Sequence, residues 1–439
     1  MNKNSDFIYD NEYLENFNLY KDNIPSKIPK KIQIWDETLR DGQQTPGVNL
    51  DFDQTIEIAR LLDEIGVSVI AVGYPAVSKE EKETVKKIAS DGFKAKIAAP
   101  ARAVKSDINH SLDCNVDEIP IFFPISDLAL KKVIKISFED ALDRICTAIQ
   151  YSVDHGVITD FIAMDASRTK IEKLDKLFRA AFEVGANKVV IADTTGFLRP
   201  VSMSYLVNEI KKQAFYEKKC ISIHCHNDLG LANANTLAAI EMGANYPHVC
   251  VNGYGERSGN CALEELVLSL EIQYGIKTGI KMEKLYELSQ LTENLFGLPL
   301  SIHKPIVGMN SFSHESGLHV NAILTGGGET IEPYSPRLIG RRRRYFVGKY
   351  SGRSSIEHVL KLLNVELTKE EIEKILIEIK KPRYIKEKEA VETMNKIRKE
   401  LLKSYSGVPA TGFLKILKNV TGKIPNIDKK TLNEYSVIF

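Results

Sequence analysis

The sequence predicts an α/β fold, a (β/α)8 barrel followed by a smaller, mainly helical C-terminal domain. Two observations support this prediction. Eight short apolar runs alternate with helix-sized segments between residues 31 and 285, an alternation that is typical of parallel strands joined by helices. No GxGxxG motif follows the first run, as it would in a dinucleotide-binding open sheet. Eight such units over roughly 250 residues fit a closed TIM barrel better than an open sheet.

The apolar runs have the length and composition of buried parallel strands. In order they are Lys31–Trp35, Val67–Val72, Lys94–Ala98, Glu118–Phe122, Asp160–Ala163, Lys188–Ala192, Cys220–His224 and His248–Val251. The segments between them carry apolar residues at helical spacing, and the first stripe is Ile58, Leu61, Leu62 and Ile65. Gly66 then stands where a helix C-terminus favours glycine. A later helix is predicted to begin at Ser137, where Asp140 completes a capping box.

This pattern divides the chain into three regions. Residues 1–30 form a polar N-terminal arm, residues 31–285 form the barrel with its catalytic site, and residues 286–439 form C-terminal subdomains that can cover the barrel mouth. The last region contains charged segments at helical spacing, LTKEEIEKILIEIKK and a longer one from Glu387 to Lys403. We interpret their charges as solvated helix faces.

The charges of the chain nearly cancel, with 59 Lys and Arg against 58 Asp and Glu. It therefore has no general electrostatic reason to bind nucleic acid or an anionic membrane. No apolar run is long enough to span a bilayer, and the polar, acidic N-terminus does not resemble a signal peptide. We expect a cytoplasmic protein without nucleic-acid or membrane partners. The six cysteines form no CxxC pair, which favours free thiols over a zinc or disulfide framework.

Polar clusters follow the predicted strands, where a barrel places its catalytic residues. His224 and His226 are two residues apart on a strand, so their side chains point to the same face. Asp41, after the first strand, can add a carboxylate, and the amide oxygen of Asn260 a further weak ligand. Two imidazoles with a carboxylate suit a divalent cation. The sequence therefore predicts a metal site formed by these four residues.

Candidate substrate contacts surround this site. Arg40 would place a cation beside the metal, suited to stabilising an enolate or alkoxide oxygen, unless it only forms an ion pair that shapes the loop. Ser167 and Arg168 could grip a substrate carboxylate, with a salt bridge at the barrel rim as the alternative. Thr194 could donate a hydrogen bond to the same carboxylate or cap the next helix. Gln44, close to Asp41 in the chain, is a further candidate for substrate binding.

Several ordered sequence blocks resemble the DRE-TIM metallolyase superfamily, specifically its acyl-CoA-condensing branch. The blocks are DETLRDGQQTPG, ARAVKSDI, HCHNDLGLANANTLAAIEMGA, GERSGN, HESGLH and GKYSGR. The resemblance extends from Lys31 to about Leu360, and the branch includes isopropylmalate, citramalate, homocitrate and Re-type citrate synthases. So many blocks in order are specific for the family but not for the substrate.

The resemblance implies a divalent metal, Mn2+ before Mg2+, Co2+ or Zn2+, that chelates the carboxylate and keto oxygens of a 2-oxo acid. The enolate of acetyl-CoA attacks the polarised carbonyl beside Arg40, and the acyl-CoA product is hydrolysed. His319, in HESGLH, is similar to the family's catalytic histidine and is implied to be a general acid/base. Because a neighbouring subunit often supplies that segment in the family, the resemblance also implies a homodimer joined through the C-terminal subdomains.

Three positions depart from the family's pattern. Ala71 and Met164 stand where the family usually has glutamate, and Ile331 stands where it usually has tyrosine. Neither alanine nor methionine can transfer a proton, so the proton relay must use other groups. The candidates for that relay are Asp165, Glu315 and Tyr334.

The blocks HVNAIL and IEPYSPRLIGRRRR are similar to homocitrate-type enzymes, and the unusual relay favours the Re-citrate synthase group among them. The predicted reaction is therefore condensation of acetyl-CoA with oxaloacetate to citrate. The alternatives are homocitrate synthase acting on 2-oxoglutarate, isopropylmalate or citramalate synthase, and a metal-dependent 3-hydroxyacyl-CoA lyase. A biotin-linked carboxyltransferase would need a metal-binding lysine at a strand end, and no such lysine stands out. Retention of Arg40 and His319 argues against a non-catalytic metal-binding homologue.

Overall fold

The computed structural model of the protein describes residues 14–381 together with residues 392, 393, 396 and 418–421. Residues 1–13 of the predicted arm lie outside the described residues, and so does most of the helix predicted from Glu387 to Lys403.

The described residues form short strands and longer helices in alternation. The strands are β1 (Trp35–Asp36), β2 (Val69–Ala71), β3 (Lys96–Ala98), β4 (Ala101–Arg102), β5 (Glu118–Pro124), β6 (Ile158–Met164), β7 (Lys188–Asp193), β8 (Cys220–Cys225), β9 (Tyr246–Val249), β10 (Ser313–His314) and β11 (Arg344–Tyr345). The α-helices are α1 (Phe52–Ile65), α2 (Lys79–Ala89), α3 (Lys105–Leu112), α4 (Asp127–Ala129), α5 (Phe138–Asp154), α6 (Ile171–Glu183), α7 (Pro200–Lys211), α8 (Ala232–Glu241), α9 (Leu263–Ile272), α10 (Leu285–Phe296), α11 (Gly317–Gly326), α12 (Arg353–Leu363) and α13 (Lys369–Lys380).

Eight of these strands close into a parallel barrel, as predicted. Hydrogen-bonded neighbours run in the order β3, β2, β1, β9, β8, β7, β6, β5, and a further pairing of β3 with β5 closes the ring. Each barrel strand overlaps one of the eight predicted runs. The two-residue β4 pairs with β5 at the edge of this ring and is too short to leave a periodic sequence pattern.

Local sequence signals fix the ends of the surrounding helices. The predicted capping box at the start of α5 is confirmed, because the Ser137 hydroxyl accepts a hydrogen bond from the backbone N–H of Asp140 at 3.0 Å. Helix α1 has a second capping box, formed by Asp51 and Gln54, and is followed by Gly66 in the left-handed conformation at a φ of 101°. The apolar stripe of α1 is buried in the main core between helices and barrel, and this burial holds the helix against the strands.

A buried ion cluster fills the N-terminal end of the barrel interior. Lys188, at the start of β7, has a side chain only 1% exposed, and its Nζ lies 2.7 Å from Glu118 Oε2 and 2.9 Å from Asp160 Oδ2. The ammonium also faces the rings of Trp35 and Tyr246, 5.1 and 4.8 Å from their centroids. Burial raises the pKa of Asp160 to about 7 despite the attraction of Lys188. The barrel is thus packed at this end, which leaves the opposite end for chemistry.

Beyond the barrel the described chain is mainly helical, as predicted. Helix α10 packs against α1, and β10 and β11 form a two-stranded parallel sheet. Helices α12 and α13 pack around the buried Ile356, Ile372 and Leu376. Helix α13 contains the charged segment that was predicted to be helical, and a capping box of Thr368 and Glu371 begins it. None of the helices among the described residues is both long and apolar enough to cross a membrane.

Candidate metal centre and active site

Three predicted metal ligands converge at the carboxyl end of the barrel. The Nε2 atoms of His224 and His226 lie 3.3 Å apart, and Asp41 Oδ2 lies 3.4 Å from the first and 3.8 Å from the second. All three side chains are buried. Cys225, between the two histidines on β8, faces the other way into the main apolar core. Donor atoms at these separations can share one divalent ion at bond lengths of roughly 2.0–2.2 Å.

The fourth predicted ligand also fits a cation. Asn260 Oδ1 is buried without a hydrogen-bond partner, which costs about 1–3 kcal/mol unless a ligand satisfies the oxygen. Asn260 adjoins His226, with which it forms an isolated β-bridge, and it also lies near Asp41. A Cβ atom on Gly255 would come within 2.1 Å of Asn260 Nδ2 and 3.2 Å of Asp41 Oδ1. A side chain at position 255 would therefore collide with Asn260 and crowd Asp41.

Arg40 influences the charge of the ligands. Burial by itself would raise the pKa of Asp41, but the Arg40 guanidinium, with Nη1 3.3 Å from Asp41 Oδ2, and the adjacent His224 hold that pKa well below its ordinary value. Burial, reinforced by His224, lowers the pKa of His226 to about 4. Asp41 is therefore a carboxylate and His226 a neutral imidazole at pH 7, the forms in which both bind metal ions.

Sequence reasoning missed two buried groups beside these ligands. Glu37, directly after β1, has a side chain 1% exposed and accepts a hydrogen bond from Arg40 Nε at 2.5 Å. His248 Nδ1, on β9, lies 3.0 Å from Glu37 Oε1, and the His248 ring lies edge-on to His224 at 5.5 Å between centroids. Burial would raise the pKa of Glu37, but Arg40 and His248 lower it to about 2. The two-residue spacing from Trp35 to Glu37 was the available signal, because it points both side chains to one face.

A cavity of about 240 Å3 opens beside the ligands. Its polar lining residues are Arg40, Asp41, Gln44, Thr194, His224, His226, Glu256 and Arg257. The other lining residues are largely apolar: Tyr74, Pro100, Phe122, Ile162, Met164 and Ala192. Cavities for drug-sized ligands begin at about 300 Å3, so this cavity suits a small organic acid.

The predicted substrate contacts divide into two groups. Gln44 and Thr194 line the cavity, and Thr194 Oγ1 accepts a hydrogen bond from the backbone N–H of Asp165 at 2.8 Å. Arg168 does not line it, because its guanidinium binds the Asp165 carboxylate through two hydrogen bonds of 2.6 and 2.9 Å. This ion pair is the rim salt bridge that the sequence offered as the alternative for Arg168, and Ser167 Oγ is buried without a hydrogen-bond partner. A contact of either residue with a substrate stays a prediction. The same ion pair occupies Asp165, one of the candidate relay groups.

The C-terminal candidates lie elsewhere in the chain. Glu315 accepts a hydrogen bond from the backbone N–H of Tyr350 at 3.2 Å, His319 is exposed on α11, and Tyr334 is buried against Phe312. None of the three candidates lines the cavity. Helix α11 packs against α12, and the expectation that a neighbouring copy of the chain brings these groups to the active site stays a prediction.

The positions that depart from the family's pattern have different surroundings. Met164 lines the cavity, Ala71 is buried on β2, and Ile331 is partly exposed. The residue after Ile331, Glu332, is buried and lies 3.1 Å from His314 Nε2. Of the three departures, Met164 alone changes the lining of the cavity, where it adds apolar surface.

Comparison with known proteins agrees with this geometry. The HMGL-like family matches residues 31–292, and a second family, homocitrate synthase post-HMGL domain-like, matches residues 306–387. A 2-isopropylmalate synthase of Methanocaldococcus jannaschii is 46% identical over 343 residues, 78% of this chain and 65% of that longer protein. The homocitrate synthase AksA of Methanothermobacter thermautotrophicus is 43% identical over 357 residues, 81% of this chain and 90% of that protein.

Solved structures show the same barrel. The crystal structure of HMG-CoA lyase from Bacillus subtilis superposes with a TM-score of 0.57 at 25% identity, over 62% of this chain and 96% of that chain. The family match covers most of the chain, and both relatives align with more than three quarters of it. The chain therefore belongs to the HMGL-like family, within the acetyl-CoA-condensing branch of the DRE-TIM metallolyase superfamily.

Proposed function

We propose that the protein is a metal-dependent acyltransferase that condenses acetyl-CoA with a 2-oxo acid and hydrolyses the resulting thioester. The observation that carries the proposal is the convergence of Asp41, His224 and His226 beside a cavity sized for a small acid. The methyl carbon of acetyl-CoA bonds to the keto carbon of the acceptor, and water then releases the CoA thiol and a hydroxy acid with one more carboxylate. The relatives named isopropylmalate synthase and homocitrate synthase support this reaction class.

The ligand set would hold the acceptor next to the cavity wall. A divalent ion bound by Asp41, His224, His226 and Asn260 would act as a Lewis acid on the keto carbonyl. The resemblance favours Mn2+, and mixed imidazole and oxygen ligands also suit Mg2+, Co2+ or Zn2+. The Thr194 hydroxyl uses its oxygen to accept from a backbone N–H, so its hydrogen remains for the carboxylate of the acceptor.

Arg40 would stabilise the oxygen on which negative charge develops. Its guanidinium lines the cavity and its side chain is only 18% exposed. A fixed cation in a water-poor site interacts more strongly with a developing charge than a cation in bulk water. The ion pairs of Arg40 with Glu37 and Asp41 hold the guanidinium in place for this role.

The sequence blocks favour oxaloacetate as the acceptor and citrate as the product. The cavity supports a second candidate for the acceptor, because its wall includes Phe122, Ile162 and Met164. An apolar wall would remove water from a second carboxylate without offering it hydrogen bonds in return. Arg257, the other arginine among the lining residues, is already paired with Asp228 at 2.8 Å. An acceptor with a short apolar side chain, 2-oxoisovalerate or pyruvate, matches this wall.

A second copy of the chain would supply the groups for proton transfer. Glu315, His319 and Tyr334 lie outside the cavity of their own chain, and His319 is exposed on α11. The protein would therefore work as a homodimer in which α11 of one copy faces the barrel mouth of the other. His319 would then act as general acid/base across the interface.

The test of the reaction is release of free CoA thiol from acetyl-CoA with oxaloacetate, 2-oxoglutarate, pyruvate and 2-oxoisovalerate in turn. We expect release only when a divalent metal and one of these acids are both present. Turnover confined to oxaloacetate would support the citrate reaction, and turnover with 2-oxoisovalerate or pyruvate would support the apolar acceptor. No release with any of the four, or cleavage of a 3-hydroxyacyl-CoA instead, would overturn the synthase function.

The test of the dimer uses two inactive variants. His224→Ala removes the metal site of a chain, and His319→Ala removes the proposed acid/base that the chain lends to its partner. We expect each variant alone to be inactive and a refolded mixture of the two to recover activity, because one cavity in each mixed dimer is intact. A mixture that stays inactive although mixed dimers form would show that both residues act in the same cavity of one chain.

A further inference from the structure

The metal ligand Asp41 shares its arginine with another buried carboxylate, Glu37. Glu37 Oε2 accepts from Arg40 Nε at 2.5 Å, while Arg40 Nη1 lies 3.3 Å from Asp41 Oδ2. The second oxygen of Glu37 lies 3.0 Å from Nδ1 of His248, whose side chain is 1% exposed. The Glu37 carboxylate thus touches an arginine and a histidine and is shielded from solvent.

The register of the barrel explains how a long carboxylate fits inside it. Trp35 pairs with Val69 and Asp36 with Ile70 in the parallel β1–β2 ladder, which places Glu37 next to Ala71. Ala71 in turn pairs with Ala98 on β3. Trp35 belongs to a core cluster with Ala71 and Ala98, and Glu37, two residues later and directly after β1, points its side chain to the same face. Two alanines beside that position leave room for the glutamate.

The contacts of Arg40 show what this carboxylate does. Arginine bonds carboxylates through a rigid planar fork, so bonds at two of its nitrogens fix both the position and the plane of the guanidinium. Glu37 binds the Nε side and Asp41 the Nη1 side. The metal ligand alone would leave the guanidinium free to rotate about that one contact, and Glu37 removes this freedom. Arg40 lines the cavity in the orientation that results.

We propose that Glu37 is a positioning residue for the condensation: it holds Arg40 in plane at the cavity and supplies, from the position directly after β1, the carboxylate that is absent at the neighbouring position Ala71. The proposal rests on the proposed function, since it assumes that Arg40 stabilises a developing oxyanion. Glu37 does not line the cavity and acts through Arg40.

A double-mutant cycle of Glu37 and Arg40 tests the coupling. Glu37→Gln keeps the shape of the side chain and removes its charge, and it should lower kcat by about 10- to 100-fold, the usual effect of removing an outer partner of a site residue. In an Arg40→Ala background the same change should lower kcat no further, because the residue it positions is gone. Equal fold-losses in the two backgrounds would show that Glu37 acts independently of Arg40 and would overturn the proposal.

An exchange variant separates charge placement from loss of packing. Glu37→Ala combined with Ala71→Glu moves the carboxylate to the adjacent strand without changing the composition. We expect its kcat to exceed that of Glu37→Ala alone by at least about tenfold. A kcat no higher than that of the single variant would count against the positioning of Arg40 as the role of the carboxylate.

A crystal structure of Glu37→Ala gives an outcome that does not depend on activity. We expect the Arg40 guanidinium to rotate out of its present plane, whereas in the matched control Asp36→Asn it should stay in place. Asp36 is the neighbouring buried carboxylate, but it accepts from Thr38 rather than from Arg40. An unmoved guanidinium in Glu37→Ala would overturn the proposal. Absence of thiol release by the unaltered protein would overturn the proposed function instead, and the crystal structure would still decide whether Glu37 positions Arg40.

Discussion

Replacing His224 with alanine should abolish most of the stabilisation that a bound metal gives the fold. An ion that binds only the folded chain stabilises it by RT ln(1 + [metal]/Kd), which is about 2.7 kcal/mol at a free concentration one hundred times Kd. His224 supplies one of three donor atoms that lie 3.3 to 3.8 Å apart. Its loss should raise Kd at least about 100-fold, since removal of an outer partner alone costs about 10- to 100-fold. At the same metal concentration the stabilisation then falls to at most about 0.4 kcal/mol.

The assay is urea unfolding of each variant with metal and with a chelator. The free energies of unfolding with metal and with chelator are compared within each variant. The destabilisation caused by the cavity at the missing imidazole is then the same in both and cancels. The matched control is His155→Ala, an exposed histidine at the end of α5, which should keep the increment of the unaltered protein. A His224→Ala variant that also keeps the full increment would refute the assignment of His224 as a ligand.

Other buried groups give expectations of their own. Burial raises the pKa of Asp36 from 3.8 to about 8, so the folded state holds an extra proton between these values and loses about 1.4 kcal/mol of stability per pH unit as pH rises. Measured by urea unfolding, the free energy of unfolding of Asp36→Asn should therefore rise relative to that of the unaltered protein as pH increases from 5 to 8. A difference between the two proteins that does not change with pH would contradict this. Lys188→Met leaves the buried Asp160 without its cation, while Glu118 keeps its ion pair with Lys96, and it should lower the free energy of unfolding by about 3–5 kcal/mol at pH 7. The control Lys176→Met breaks an exposed pair and should change it by less than about 1 kcal/mol; similar losses would contradict the buried cluster's role. Ile162→Ala should lower kcat/KM about tenfold for a 2-oxo acid with an apolar side chain but not for glyoxylate, and equal losses for both acids would argue against the wall as a side-chain pocket.

The barrel was predictable because its signals are local. Each strand carries a short apolar run, and each helix start uses neighbouring residues, as Ser137 and Asp140 do in α5. The convergence of His224 and His226 was equally local, because residues two apart on a strand share a face. Asp41 could be added to them because parallel strands of a barrel all end at one rim.

The partners of charged side chains were not predictable in this way. Arg168 binds Asp165, three residues before it, and not the cavity. The two interpretations of Arg168 differ only in the direction of a flexible side chain, and the spacing of residues in the sequence does not predict that direction. Glu37 was missed for a different reason: its partner His248 lies on β9 and meets it only because β1 and β9 pair in the closed barrel.

The sequence by itself determined the order of strands and helices, the face on which the two histidines lie, and the membership of the chain in a family of metal-dependent enzymes, because these follow from short-range periodicity and ordered motifs. The tertiary structure decided that Glu37 meets His248 on β9, that Arg168 lies outside the cavity and that His319 is exposed on α11. Contacts between side chains on different strands depend on barrel closure and on the space left by small neighbours, and both arise only when the whole chain has folded.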